Sequence, residues 1–266
     1  MMRLPFILFI VVVLFPGGCK DTSTHRRPAT RIPLVTANQG RISTTFNLAA
    51  FKSNLRLPTP RNFEYREKFV TFGNAAIRYL ETGMKTQPAV VLLHGAQLRA
   101  ESWKNLGTMR YLAQLGFRVI SVDLPRHGKT GNPKVLKEDY LFQFLTHAKI
   151  TNPIVLGQSY AGSYVLPFLV KYANSVKGVI LLAPTSIRDY LPQLKTVSVT
   201  ALILWGESDE MISVQQAYLL HGTLAESILK IFPGAPHECY LSGTSQFHNE
   251  IGHFVTRLFA PHKHHA

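Results

Sequence analysis

Cysteine is nearly absent from the chain, with Cys19 and Cys239 the only two in 266 residues. Two thiols cannot build a disulfide framework, so cysteine usage says nothing about compartment. Acids are scarce too: Asp and Glu number 15 against 29 Lys and Arg, and the net charge of +14 favours acidic partners such as a membrane surface or an anionic substrate. This basic excess comes without a recognisable nucleic-acid module, so no nucleic acid is expected as a partner. There is no internal repeat and no metal-ligand spacing, and the His-rich end from Pro261 to His265 reads as a solvated tail over 261–266. What the chain has in quantity is apolar side chains. At 46% hydrophobic and 17% charged residues it can bury a large core, which excludes disorder of the whole.

Arg3 precedes an apolar run from Leu4 to Phe15, closed by Pro16-Gly17-Gly18-Cys19. A membrane span takes about 20 apolar residues, so this shorter run reads as the core of a signal peptide or signal anchor over 1–19. Cleavage after Cys19, lipid on Cys19 and retention as an anchor all stay open, although Lys20, Arg26, Arg27 and Arg31 oppose a lumenal enzyme behind an uncleaved anchor. Residues 20–61 are polar, basic and almost free of acids, and read as a disordered tether able to lie along anionic lipid headgroups. The expected location is therefore membrane-associated or secreted, with the cytoplasm as the alternative.

From 62 to 260 the texture is that of a folded domain. Tyr65 to Phe72 and Ala76 to Glu81 read as a hairpin about Gly73-Asn74. Apolar strands follow at Ala89–Leu93, Arg118–Leu124, Pro153–Leu156, Val176–Leu182, Ala201–Trp205 and Ser227–Phe232. Helical patterns lie between them at Glu101–Leu115, Glu138–Ala148, Ala161–Tyr172 and from Ser213, with a last helix at Thr244–Phe259. Continuous apolar strands alternating with helices predict an α/β fold, a mostly parallel sheet covered on both faces. The connection from Leu182 to Ala201 has room for one short helix and no large lid.

One strand meets Gly157-Gln158-Ser159-Tyr160-Ala161-Gly162 and turns directly into a helix. A serine on a sharp strand-to-helix turn is the signature of a nucleophile elbow, which needs small neighbours because the turn is strained. The pattern has glycine where this chain has Ala161, with Gly162 one place later, and N-capping by Ser159 is the bland alternative. Pro167 within the following helix predicts a kink.

An elbow serine needs a base within reach and an acid to orient that base, in chain order serine, acid, histidine. Asp209 lies several residues past the strand ending at Trp205 and is the chosen acid, with Glu207 as runner-up and helix capping as the competing role for Asp209. His237, on a loop stiffened by Pro233 and Pro236, is the chosen base. The oxyanion hole is assigned to the backbone N–H groups of Tyr160 and Ala96, with Gln97 as the alternative to Ala96. His94 and Asp123 read as structural, His248 and His253 as helix-face residues, and His221 as a helix end.

Together these residues resemble the α/β-hydrolase superfamily and, more narrowly, the α/β-hydrolase-domain-containing 14 family, and the apolar amino terminus followed by a tether is similar to that of its membrane-associated branch. The resemblance runs from about Ala89 to Phe259 and is carried by Trp103-Lys104-Asn105-Leu106-Gly107, Asp123-Leu124-Pro125, Leu166-Pro167-Phe168-Leu169, Ala183-Pro184-Thr185-Ser186, Gly206-Glu207 with Asp209, and His237 followed by Cys239-Tyr240-Leu241. It implies Ser159 as nucleophile, Asp209 as acid and His237 as base. It further implies removal of acetyl groups from small esters, or from acetylated lysine with coenzyme A as acceptor. Gly157 and Ala161 stand where that family has serines and Arg126 where it has glycine, departures that bear on acyl-group preference.

The resulting expectation is a serine hydrolase acting on a small acyl ester, amide or thioester, with no resident cofactor and water as acceptor. Acyl transfer from lysine to coenzyme A and a protein-binding role are the competing readings.

Overall fold

The computed structural model describes residues 63–260. The expected leader (1–19), tether (20–61) and tail (261–266) lie outside the described residues, as does Cys19. Among the described residues, no helix is long and apolar enough to cross a membrane.

Eight strands form one sheet: β1 (Arg66–Phe72), β2 (Ala75–Thr82), β3 (Ala89–Leu93), β4 (Arg118–Val122), β5 (Ile154–Gln158), β6 (Gly178–Leu182), β7 (Ala201–Gly206) and β8 (Ser227–Phe232). Their spatial order is β1-β2-β4-β3-β5-β6-β7-β8. The hairpin β1–β2 is antiparallel and β2 joins β4 antiparallel, while every pair from β4 to β8 is parallel. The helices are α1 (Ala100–Asn105), α2 (Thr108–Gln114), α3 (Lys137–His147), α4 (Gly162–Tyr172), α5 (Ile187–Leu194), α6 (Gln215–Thr223), α7 (Cys239–Ser242) and α8 (Thr244–Phe259).

The physical reason for the two-sided packing is visible in β3, whose five residues are all buried. Side chains alternate across a strand, so Val91 and Leu93 enter a core with Tyr140 and Phe144 of α3 and Val165 and Phe168 of α4. Val90 and Leu92 enter the opposite core, with Trp103 of α1, Leu112 of α2 and Phe247 and Ile251 of α8. A continuous apolar run is what a strand buried on both faces favours.

The single helix expected over Glu101–Leu115 is two helices. Gly107 sits between them at φ 85°, a left-handed conformation that glycine adopts without steric cost, and the chain turns there. Helix α4 continues through Pro167 to Tyr172. The connection from β6 to β7 contains one eight-residue helix, α5. This topology sets the carboxyl ends of β3, β5, β6, β7 and β8 along one rim, where ligands of open parallel sheets bind.

Candidate active site

The elbow is strained where the sequence placed it. Ser159 has φ 49°, a left-handed conformation uncommon for a residue with a side chain, and it is the first residue of a short 3-10 turn that leads into α4. Gly162 is needed for a reason the motif did not state. A β-carbon there would come within 2.6 Å of the Thr185 carbonyl oxygen and 2.7 Å of Pro184 Cβ. Close approach of the loop after β6 thus places the glycine one position late, while Ala161 is fully buried in the core. The same loop holds the elbow by its backbone: Thr185 N–H donates to the Ser159 carbonyl at 2.9 Å and its hydroxyl at 3.2 Å.

Ser159, His237 and Asp209 lie far apart in the chain and meet at the rim. Ser159 Oγ stands 2.9 Å from His237 Nε2, and His237 Nδ1 stands 2.7 Å from Asp209 Oδ2. All three residues are buried. With a carboxylate accepting at Nδ1, the proton belongs on that nitrogen and Nε2 is left as acceptor for the serine hydroxyl. The two roles weighed for Asp209 are divided between its oxygens. Oδ1 accepts from the N–H groups of Met211 and Ile212 at 2.9 and 2.8 Å, which fixes the carboxylate, and Oδ2 faces the imidazole.

Glu207, the runner-up acid, does not join them: its Oε2 accepts from Gly234 N–H at 2.8 Å, and the side chain is exposed. It fails because it directly follows β7, so it braces the turn after β8 instead of reaching the histidine. Tyr160 occupies the second position of the turn opened by Ser159, where helical N–H groups lack intrahelical acceptors. Ala96 N–H has no acceptor among the described residues, and Gln97 beside it takes φ 60°.

Sequence reasoning missed what positions this loop. Gln158, buried at the end of β5, accepts from Gly95 N–H through Oε1 at 2.8 Å and donates through Nε2 to the Tyr240 hydroxyl at 3.3 Å. It ties the elbow strand, the loop after β3 and α7 together. A glutamine inside an otherwise apolar strand, next to the nucleophile, was the available signal. His94 is structural as read. Fully buried, it directs Nδ1–H to the Gly95 carbonyl at 2.7 Å and accepts Leu124 N–H at Nε2 at 3.0 Å. Burial pushes its pKa down to about 4, so it stays neutral.

Asp123 is likewise a loop-fixing residue. It accepts from Ala100 N–H at 2.7 Å, Lys129 N–H at 3.0 Å and the Arg78 guanidinium at 3.0 Å. His248 is more than a helix-face residue, since it stacks on Tyr111 at 4.9 Å and bonds the Thr108 hydroxyl at 3.0 Å. Cys239, buried behind the histidine loop, is held protonated, its thiol pushed up to about 12 by burial and then by the charge of Asp209. Among the described residues, no group of three or more His, Cys, Asp or Glu side chains could hold a metal ion.

A family profile described as the alpha/beta hydrolase fold matches residues 88–198. Protein ABHD14A of Rattus norvegicus is 31% identical over 198 residues, covering 71% of this chain and 81% of that protein. The chain belongs to the ABHD14 family of α/β hydrolases. It spans 64% of the length of ABHD14A of Danio rerio. ABHD14B of Homo sapiens, which carries the name of a candidate protein-lysine deacylase, is 30% identical over 178 residues, covering 64% of this chain and 84% of that protein. Among solved structures, a CIB-like hydrolase of Thermoplasma acidophilum has the same fold, with a TM-score of 0.70 at 17% identity over 74% of this chain and 100% of that one. The family resemblance read in the sequence is to the family these relatives belong to, and the chain carries a serine at the elbow of the hydrolase fold.

Proposed function

We propose that this ABHD14 protein hydrolyses a small acyl ester, amide or thioester through an acyl-enzyme on Ser159. The observation that carries the proposal is the continuous line of contacts from the Ser159 hydroxyl through His237 to Asp209. In this reading Oγ attacks the acyl carbon while its proton passes to His237 Nε2. The developing oxyanion is held by the N–H groups of Tyr160 and Ala96, each such donor contributing about 3 kcal/mol to the transition state. His237 gives the proton to the leaving group as the carbon–heteroatom bond breaks. Water then attacks the acyl-enzyme, losing its proton to His237, which returns it to Ser159 Oγ as the acid departs. Asp209 keeps the imidazole in one tautomer and supports it when charged.

A second reading follows from the name of the relative ABHD14B: the substrate is an acylated lysine side chain, with water or coenzyme A taking the acyl group. The short connection that carries α5 favours small substrates or a side chain on a protein over long lipids. Labelling by a fluorophosphonate probe, abolished in Ser159→Ala, is the expected result. Equal labelling of that variant would overturn the nucleophile, and no labelling of the native protein would favour a purely protein-binding role. A panel of acyl esters and an acetyl-lysine peptide, run with and without coenzyme A, separates the two acceptors. Strong hydrolysis of long-chain triglycerides with no activity on acetyl esters would refute the small-acyl assignment.

A further inference from the structure

Next to the elbow lies a cavity of about 270 Å³ whose lining does not include the Ser159 side chain. Tyr160 is the shared wall: its backbone follows Ser159, and its side chain lines the cavity together with that of Tyr164. The two hydroxyls are 3.4 Å apart. Arg126 and Lys137 also line it, with Lys137 Nζ 5.9 and 5.4 Å from the ring centroids of Tyr160 and Tyr164. Arg126 is held at φ 66° with its N–H bonded to the Gly131 carbonyl at 3.0 Å. No carboxylate lines the cavity, and among the described residues neither cation has an ion-pair partner.

Lys129 is paired with Glu67 and Lys171 with Asp139, while Lys134, like Arg126 and Lys137, has no ion-pair partner among the described residues. Arg126 and Lys137 are both exposed to solvent, and an anion in the cavity would be attracted by both. The hydroxyls add donors suited to an oxyanion. The volume lies below the roughly 300–1,000 Å³ of sites for drug-sized ligands, so the occupant is short. We infer that this cavity is a subsite for a carboxylate on a short arm of the substrate, placing the enzyme's preferred substrates among anionic acyl compounds. The carboxylate belongs either to the acyl chain or to the leaving group. The inference rests on Ser159 being the nucleophile.

The test compares kcat/KM for paired esters: an aryl hemiglutarate against its methyl ester, with the charge on the acyl arm, and the acetyl ester of 4-hydroxybenzoate against its methyl ester, with the charge on the leaving group. One charged member is expected to exceed its neutral partner by about tenfold, an advantage that shrinks as salt rises. Arg126→Gln and Lys137→Gln should each erode that ratio, whereas Lys85→Gln, on another surface, should leave it alone. A ratio of one in both pairs, with Ser159-dependent turnover intact, overturns the subsite and spares the hydrolase. If no ester is turned over, calorimetry on the Ser159→Ala protein decides the subsite separately. Monomethyl glutarate should bind more tightly than methyl valerate, and equal or absent binding overturns it.

Discussion

At the hairpin side of the sheet, Arg78 and Glu81 are buried with their charges saturated, whereas at the carboxyl rim Ser159, His237 and Asp209 are buried in a line that ends on a hydroxyl. Arg78 reaches Glu67 at 2.6 Å, Glu101 at 2.5 Å and Asp123 at 3.0 Å, and Glu81 takes both Lys68 and Arg118. Burial alone would lower the Arg78 pKa, but three carboxylates outweigh it and raise it. Burial would likewise raise Glu81, and its two cations reverse the sign and hold it below the ordinary carboxylate value. Every charge there has a partner, so the region can only hold shape. At the rim the bonds run in one direction and stop at Ser159 Oγ, while Ala96 N–H has no acceptor among the described residues. Unspent hydrogen-bonding capacity next to a strained backbone is what a reacting group can use.

The sharpest way to break the comparison is Asp209→Asn. The amide oxygen can keep the turn by accepting from Met211 and Ile212, so the fold should stand, while its NH₂ faces His237 and forces the wrong tautomer. A fall in kcat of about 10⁴-fold with a nearly unchanged urea midpoint is expected. Loss of stability in parallel with activity would place Asp209 with the structural group.

Arg78→Ala should do the reverse. It strands the fully buried Asp123 and should cost about 3–5 kcal/mol of unfolding free energy, measured by urea denaturation. A loss below about 1 kcal/mol would mean that this charge cluster is not what braces the loop.

The two regions should also separate by pH. His94 binds a proton less readily folded than unfolded, its pKa lying at about 4 instead of 6.5, with Asp123, Glu101 and the neighbouring His127 the charged and titratable groups around it. The unfolded chain therefore takes up more protons between those values. The contribution of His94 is complete above 6.5, falls as pH drops from 6.5 to about 4, and amounts to no more than about 3 kcal/mol. The depressed carboxylates Glu81 and Glu101 act lower, losing their contribution only as pH falls below 4.5. Urea midpoints of the native protein and His94→Asn should diverge in slope within the upper window and run parallel below it. Equal slopes throughout would remove His94 from the account.

The smallest effect sharpens the boundary between the regions. Gln158→Leu leaves Gly95 N–H without its acceptor and should lower kcat by roughly ten- to a hundredfold, from about 1–3 kcal/mol of lost positioning. Gln158→Glu, which keeps an acceptor, should recover most of it. A failure of glutamate to rescue would argue that packing, not the hydrogen bond, sets the loop.

Much of this was legible in one dimension. Strands β3 to β8 and the final helix fall within a residue or two of the apolar patterns, because strands covered by helices on both faces are mostly apolar along their whole length, with few buried polar exceptions such as Ser121 and Gln158. The break at Gly107 was hidden because apolar spacing continues across it, and periodicity does not report backbone sign. The displaced glycine at 162 and the role of Gln158 could not be read locally, since each answers to a residue far away, Thr185 in one case and Gly95 and Tyr240 in the other.

The sequence by itself determined which residue types could do the chemistry and in what order they come, since an elbow serine, a later acid and a later histidine are local patterns. Only the tertiary structure decided between Asp209 and Glu207, split the work of Asp209 between two oxygens, and set Arg126 and Lys137 around one cavity. Those outcomes depend on distances of a few ångströms between segments tens of residues apart, which the packing of helices on a parallel sheet settles and no pattern along the chain records.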